Sequence, residues 1–327
     1  MARSLTEALI IQRRRAGGQL IVPLLEELFR YPVRIETPAD REWLDRLVEK
    51  HLQREQERKE RWERGDPVFS PSSLSSCIRK VYLKKNWVKL GLERVEIPRI
   101  EPNYYFLKGD FTHLQWQFAL YKLAQKCDGF DLVSDGDGHH MVEHPVESKR
   151  GDHAGTIDVV AIVLGEIVPI DVKGIHVRAF QQATKGIVDH SYRIQVVDYG
   201  LLANTDRKFQ RLVNGQKIKR AVLLFENKGG PDPTRPVALH EVIYDLKSHL
   251  PEVRMRLEVL RGHEAKEEIP PPECTTRGSL QFQGCPFSEF CNEEVEAIER
   301  KNGTPKGGDA DGLRVAIPRK RRTRRSR

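Results

Sequence analysis

Residues 155–173 read GTIDVVAIVLGEIVPIDVK, and the fold turns on this stretch. Two runs of β-branched and aliphatic residues flank Gly165-Glu166, which reads as the turn of a hairpin between strands over 155–164 and 166–173. Each run carries an acid, Asp158 in Ile157-Asp158-Val159-Val160 and Asp171 in Val168-Pro169-Ile170-Asp171-Val172. A carboxylate inside an apolar strand is costly unless it is paired or bound to a cation. Pairing across the turn sets the start of the first strand beside the end of the second, so both carboxylates arrive at the same end of the hairpin. A divalent cation relieves their repulsion. Lys173 follows Asp171 by two residues and emerges on the same face. An ammonium there can orient water or stabilise charge developing on a phosphate.

Upstream, residues 108–126 (KGDFTHLQWQFALYKLAQK) read as a buried helix opened by Gly109-Asp110. It carries His113, whose neutral imidazole suits a metal that also takes carboxylates. A loop rich in Gly and Asp over 128–138 leads into a strand over 139–147. Downstream, a helix over about 190–204 sets Gln195 and Tyr199 four apart, on one face. Strands at 219–226 and 236–244 and a helix over 245–262 follow. Taken singly, His113, the Gln195–Tyr199 pair and an Asp-x-Lys tripeptide are each compatible with core packing or a strand-end salt bridge.

Towards the N-terminus, residues 39–64 form a long charged helix with an apolar stripe at Trp43, Leu44, Leu47, Val48 and Leu52. Beyond Leu52 it is almost wholly polar, which makes its second half solvent-exposed or a lever between parts. Gly65-Asp66-Pro67 ends it, and Ser70-Pro71-Ser72-Ser73 supplies N-cap candidates for a helix that contains Cys77 and runs towards Lys89. An apolar pattern over 5–30 is interrupted at Gly17-Gly18. The expected class is α/β, with a mixed central sheet flanked by helices plus a helical N-terminal region.

The chain has 327 residues and a formal net charge of +8, but residues 319–327 (RKRRTRRSR) carry seven basic groups and no acid. The body is therefore close to neutral, and a specific nucleic-acid site has to come from it rather than from the tail. No apolar run approaches the ~20 residues of a membrane helix. Gln12-Arg13-Arg14-Arg15 interrupts any secretory signal, and Glu7, Glu26 and Glu27 argue against a transit peptide. The expected location is the cytoplasm, or the host cytoplasm for a phage-encoded chain. There is no Gly-x-x-x-x-Gly-Lys-Ser/Thr, so a helicase or recombination partner would be a separate chain. Oligomeric state stays open.

The ordered series His113, Gly155-x-x-Asp158, Asp171-x-Lys173 and Gln195-x-x-x-Tyr199 resembles the motif set of RecB-family nucleases, within the PD-(D/E)XK superfamily. The likeness spans roughly residues 70–295. It implies a restriction-endonuclease-like core over 66–299, a helical N-terminal extension over 1–65 and a disordered basic tail over 300–327. It also implies that His113, Asp158, Asp171 and the backbone carbonyl of Val172 bind Mg²⁺ or Mn²⁺. Lys173 would position the attacking water, and Gln195 and Tyr199 would complete the catalytic set.

Five cysteines, Cys77, Cys127, Cys274, Cys285 and Cys291, are too few and too unevenly spaced for a disulfide framework. Four thiolates suit either an iron–sulfur cluster or zinc. One early cysteine followed by a late trio is similar to the iron–sulfur variants of the same nuclease family, such as the CRISPR-associated exonucleases and the AddB nuclease domain. The resemblance implies a [4Fe–4S] cluster held by Cys77, Cys274, Cys285 and Cys291. A link between such distant positions restricts the unfolded chain strongly. The ten residues TTRGSLQFQG between Cys274 and Cys285 make a wider gap than the family has, so this loop must bulge. Cys127 is left as a free thiol.

The function expected from the resemblance is a metal-dependent DNA exonuclease hydrolysing phosphodiester bonds on single-stranded ends. Three alternatives stay open: a nuclease with zinc in place of the cluster, a DNA-end-binding or adaptor protein without turnover, and an iron–sulfur scaffold acting through the Arg-rich tail.

Overall fold

The computed structural model describes residues 19–29, 33–64, 68–92, 100–229 and 239–301, with backbone only at 62, 100–110, 280 and 281. The expected tail over 300–327 begins within a helix, since Arg300 and Lys301 are helical; its remainder from 302 onward, the stretch 5–18 and the Gly65-Asp66-Pro67 stop lie outside the described residues. In chain order the helices that precede the sheet are α1 (Val22–Leu28), α2 (Pro38–Glu63), α3 (Pro71–Leu74), α4 (Ile78–Asn86) and α5 (Ile100–Ala124). Strands β1 (Phe130–Leu132), β2 (Val142–Glu147), β3 (Ala154–Val163) and β4 (Glu166–Ile175) follow. A crossover through α6 (Val177–Ala183), α7 (His190–Thr205) and α8 (Arg207–Leu212) leads to β5 (Arg220–Asn227) and β6 (Leu239–Asp245). Helices α9 (Leu246–Lys266), α10 (Leu280–Gln283) and α11 (Ser288–Lys301) close the described chain.

The sheet is mixed. Its order is β1-β3-β4-β5-β6, with β2 also paired to β3. Strands β1 and β2 share one edge of β3, against Ala161–Val163 and Ala154–Val159 respectively. The β4–β5 pair is parallel and the others are antiparallel. Both faces are covered: Leu223 and Phe225 of β5 join the core beneath α4, α7 and α9, while Val222 and Leu224 join the core beneath α1, α2 and α5. Burial on both sides is why the β3 and β4 sequences are continuous apolar runs rather than alternating ones. The expected α/β class, mixed sheet and N-terminal helices are what the structure has. None of the described helices is long and apolar enough to cross a membrane.

Some local expectations shift. The hairpin turn is Leu164-Gly165, not Gly165-Glu166: Val163 pairs with Glu166, and both turn residues take positive φ (52° and 83°). Two residues with φ > 0 make the turn whose twist suits a two-residue hairpin. Helix α5 begins before Gly109-Asp110, because one glycine costs a helix only ~1 kcal/mol and need not end it. The loop over 128–138 contains β1, which is only three residues long and pairs with β3. Cys77 is the N-cap of α4 rather than part of it.

Helix α2 is tied down at its first turn. Asp40 accepts the amides of Glu36 and Thr37, each at 2.9 Å, and pairs with Lys122 of α5 at 3.0 Å. Burial opposes its ionisation, but the Glu36 amide and the Lys122 ammonium outweigh that and hold the carboxyl well below the usual range. Trp43 stacks on Tyr121 at 4.3 Å between ring centroids. Anchored there, the charged second half of α2 runs out along one wall of a cleft of about 1650 Å³.

Candidate active site

The cleft is lined by His113, Asp158, Lys173, Gln195 and Tyr199, with Arg54 and its neighbours on α2 along one side. At its floor the β3–β4 register puts Asp158 one residue beyond the last ladder couple, Val159 and Ile170, and so level with Asp171. Asp158 Oδ2 accepts the Val172 amide at 2.8 Å and lies 3.5 Å from His113 Nδ1. The Val172 side chain is buried in the sheet, so the expected contribution of this residue can come only from its backbone. Lys173 Nζ sits 3.0 Å from both oxygens of Asp171. Gln195 Nε2 donates to Tyr199 Oη at 3.1 Å and reaches Asp171 Oδ1 at 3.4 Å. All seven residues expected around the metal thus converge at one place.

An eighth residue joins them. Glu143 on β2 is 5% exposed, and its carboxylate lies within 4.8 Å of ligand atoms of both His113 and Asp158. Its backbone is left-handed, with φ 50°, a conformation that costs a non-glycine residue of order 1 kcal/mol or more. Gln117 Nε2 holds it from α5, donating to Glu143 Oε1 at 2.7 Å and to the Asp158 carbonyl at 3.1 Å. From the other side, the Arg54 guanidinium of α2 donates to Glu143 Oε2. The sequence reading missed Glu143 and Arg54. The available signal was an acid next to Met141-Val142, the same interruption of an apolar run that marks Asp158.

Local packing explains Gly155. A Cβ there would sit 2.8 Å from the Pro71 ring and 2.9 Å from Tyr199 Cε1, so the missing side chain lets α3 and α7 close over the start of β3. Beside Tyr199, Asp198 Oδ2 meets His153 Nε2 at 2.7 Å in a buried pair that fastens α7 to the residue preceding the same strand.

The electrostatics follow from burial among like charges. Burial, and secondarily the charge of Asp158, raises the Asp171 carboxyl to about 7 against the pull of Lys173. Burial disfavours the charged Lys173, but Asp171 and Asp158 outweigh it and keep the ammonium protonated, with its pKa above the usual lysine value. Burial first, then the two aspartates, raises Tyr199 well above the ordinary phenol range, so it is a neutral phenol and not an anion. Asp171 Oδ2, although close to the ammonium, is buried and accepts no hydrogen bond.

Of the cysteines, Cys77, Cys274 and Cys291 are buried and Cys285 is half-buried, and all are unpaired. Cys274 and Cys291 share a small core with Phe282 and Val295. Burial raises both thiols, with further contributions from Cys77 and Cys285; for Cys291 the value is about 11, against the pull of the Arg79 guanidinium. No three of these sulfurs lie within 4.8 Å of one another. Cys127 is buried on the other side of the sheet, in the core under α1, α2 and α5.

No family model matches the chain, and no curated protein matches it. Among solved structures it is similar to an alkaline exonuclease (LHK-Exo) from Laribacter hongkongensis, with a TM-score of 0.39 and 8% identity over 75% of this chain and 98% of that one. The complex of LHK-Exo with dAMP gives a TM-score of 0.39 at 9% identity over the same shares. Likeness that remote carries no weight for the chemistry of this chain.

Proposed function

We propose that the chain is a divalent-metal-dependent DNA nuclease of the PD-(D/E)XK type, an exonuclease acting on single-stranded ends. The observation that carries this reading is the meeting of Asp158, Asp171 and Lys173 with His113 and Glu143 on the floor of one cleft. The donor set fits Mg²⁺ or Mn²⁺, since carboxylates and one imidazole are the ligands these ions take. His113, Glu143, Asp158 and Asp171 would hold the ion, with the Val172 carbonyl as a further oxygen. Such an ion supplies charge neutralisation at the phosphate and a bound water of lowered pKa.

The remaining work falls to side chains of the chain itself. Lys173, charged and fixed by Asp171, aims its remaining N–H groups into the cleft, where they can orient the attacking water and accompany charge developing on the scissile phosphate. Gln195 bridges Tyr199 and Asp171, which restricts the carboxylate to one orientation. Gln117 and Arg54 do the same for Glu143. An adaptor without turnover would have no use for a protonated buried lysine between strained and repelling acids.

The cysteines extend the reading to a structural [4Fe–4S] cluster on Cys77, Cys274, Cys285 and Cys291. Four thiolates suit either this cluster or zinc. Unpaired thiols also fit a reducing cytoplasm. Iron, sulfide and zinc analysis of anaerobically purified protein separates the two metals.

The assay for the activity is release of nucleotides from end-labelled single-stranded DNA with Mg²⁺ or Mn²⁺ and with a chelator. Metal-dependent release from linear strands, with a circular strand resistant, is the expected outcome. Degradation that survives the chelator, or none with any divalent ion, would remove the assignment.

A further inference from the structure

Helix α2 docks on the chain that leads into β2 with one side chain per turn. Trp43 Nε1 donates to His140 Nδ1 at 3.0 Å, and Arg46 Nη1 meets His139 Nδ1 at 2.5 Å. Lys50 Nζ lies 3.4 Å from both Asp135 Oδ2 and the His140 carbonyl. Steps of three and four keep these residues on one face. Arg54 is the next on that face, but it meets an acid of the site instead of the loop: its Nη1 donates to Glu143 Oε2. Arg54 Nη2 is held only loosely, 3.3 Å from His51 Nδ1 and 3.5 Å from Glu55 Oε1 on its own helix. A firm charge-assisted bond measures about 2.7–2.9 Å. The Glu143 side chain is 1% exposed and that of Arg54 27%, so the guanidinium covers a buried acid and is itself open to the cleft it lines.

Resting on the nuclease reading above, we infer that Arg54 is a catalytic residue that holds the scissile phosphate. One prong of its guanidinium stays on Glu143 and the other takes a phosphate oxygen. A guanidinium suits this double duty because its N–H groups form a planar fork, whereas an ammonium is a point charge. The charges of the floor agree. Glu143, Asp158 and Asp171 set three carboxylates against the two cations Arg54 and Lys173. That leaves one negative charge, which a divalent ion turns into one positive charge, the complement of a single phosphodiester. Without Arg54 the loaded floor would be neutral and would hold no net charge for a phosphate. Helix α2 lies outside the nuclease-like core expected over 66–299, so the site is completed by a residue from beyond that core.

The test compares the full wild-type chain with Arg54→Gln and Arg54→Lys. Arg54→Lys keeps a cation beside Glu143, and it alone carries the test if melting shows Arg54→Gln unfolded. Mn²⁺ affinity by calorimetry should stay within about threefold of wild type or tighten, because Gln117 still holds Glu143 and no positive charge is added. Affinity of the Mn²⁺-loaded protein for thymidine 5′-monophosphate should fall at least ~10-fold, the loss of one charge-assisted hydrogen bond. Turnover of single-stranded DNA and of the small diester bis(p-nitrophenyl) phosphate should fall by one common factor, about 10²–10³, since the reacting phosphate is the same in both. Mn²⁺ affinity that falls, with turnover restored by saturating Mn²⁺, overturns the phosphate contact and leaves Arg54 as a support of Glu143. Arg54→Lys with wild-type turnover and nucleotide affinity overturns it too, as does a loss confined to DNA. Wild type inert on both substrates with any divalent ion removes the nuclease reading itself.

Discussion

Val172 donates its amide hydrogen to Asp158 Oδ2 at 2.8 Å, across the β3–β4 hairpin. A side-chain carboxylate takes the place of a backbone acceptor at the point where the antiparallel ladder ends. The arrangement fixes one oxygen of Asp158 and makes the register of the hairpin and the position of the acid one and the same feature. Asp158→Ala should then leave a buried amide unsatisfied and cost about 1–3 kcal/mol. Asp158→Asn, which keeps an acceptor there, should unfold in urea close to wild type. Equal destabilisation by both would show that the hydrogen bond is not what anchors Asp158.

Glu143 carries the second prediction. Glu143→Gln preserves shape but offers one acceptor oxygen where Gln117 and Arg54 use two, so one of these bonds is lost while the fold should survive. The affinity for Mn²⁺, measured by titration calorimetry, should fall at least tenfold, as loss of a ligand or its support does. Unchanged affinity would leave Glu143 as a strained structural acid.

What the sequence made legible follows from these residues. Asp158 and Asp171 stood out because each breaks an apolar strand, and Lys173 because a period of two puts it on the face of Asp171. Gln195 and Tyr199 were readable from their helical spacing, and the structure joins them at 3.1 Å. Glu143 follows the apolar Met141-Val142 pair as Asp158 follows Ile157, but its approach to His113 and Asp158 goes with a left-handed backbone that the sequence does not show. Arg54 was one charge among many on a polar helix, and only the tertiary position of α2 singles it out. Strand β1 escaped for a related reason: three residues have no period, and its structure comes from pairing with β3.

Gly155 should not tolerate a methyl group. Gly155→Ala places a Cβ under 3 Å from both the Pro71 ring and Tyr199, which should cost about 1–3 kcal/mol as overpacking. It should also lower turnover by displacing Tyr199. Thermal unfolding and rate measurements on the same preparation check both, and a variant as stable and active as wild type would show that the packing yields.

Acid should expose one ion pair in particular. Asp152 is bonded by Arg261 at 2.7 and 3.0 Å and by Ser148 at 2.7 Å. Burial raises its pKa, but these partners, Arg261 foremost, outweigh that and lower it from 3.8 to about 2. A depressed carboxyl stabilises the fold above its unfolded pKa and loses that contribution as pH falls through the folded value. The stability difference between wild type and Asp152→Asn should therefore be roughly 1–2 kcal/mol at neutral pH, and should shrink between about pH 4 and pH 2. A difference that does not vary with pH across that window contradicts the role given to the Asp152–Arg261 pair.

The central claim is that Asp171 and Lys173 act on a phosphodiester through a metal held at the floor of the cleft. Initial rates of single-stranded DNA degradation in Mg²⁺ or Mn²⁺ by wild type, Asp171→Ala and Lys173→Ala test it most directly. The account predicts folded variants slower by at least ~10²–10³-fold, the scale of losing one aligned electrostatic group from an active site. Three equal rates would contradict it.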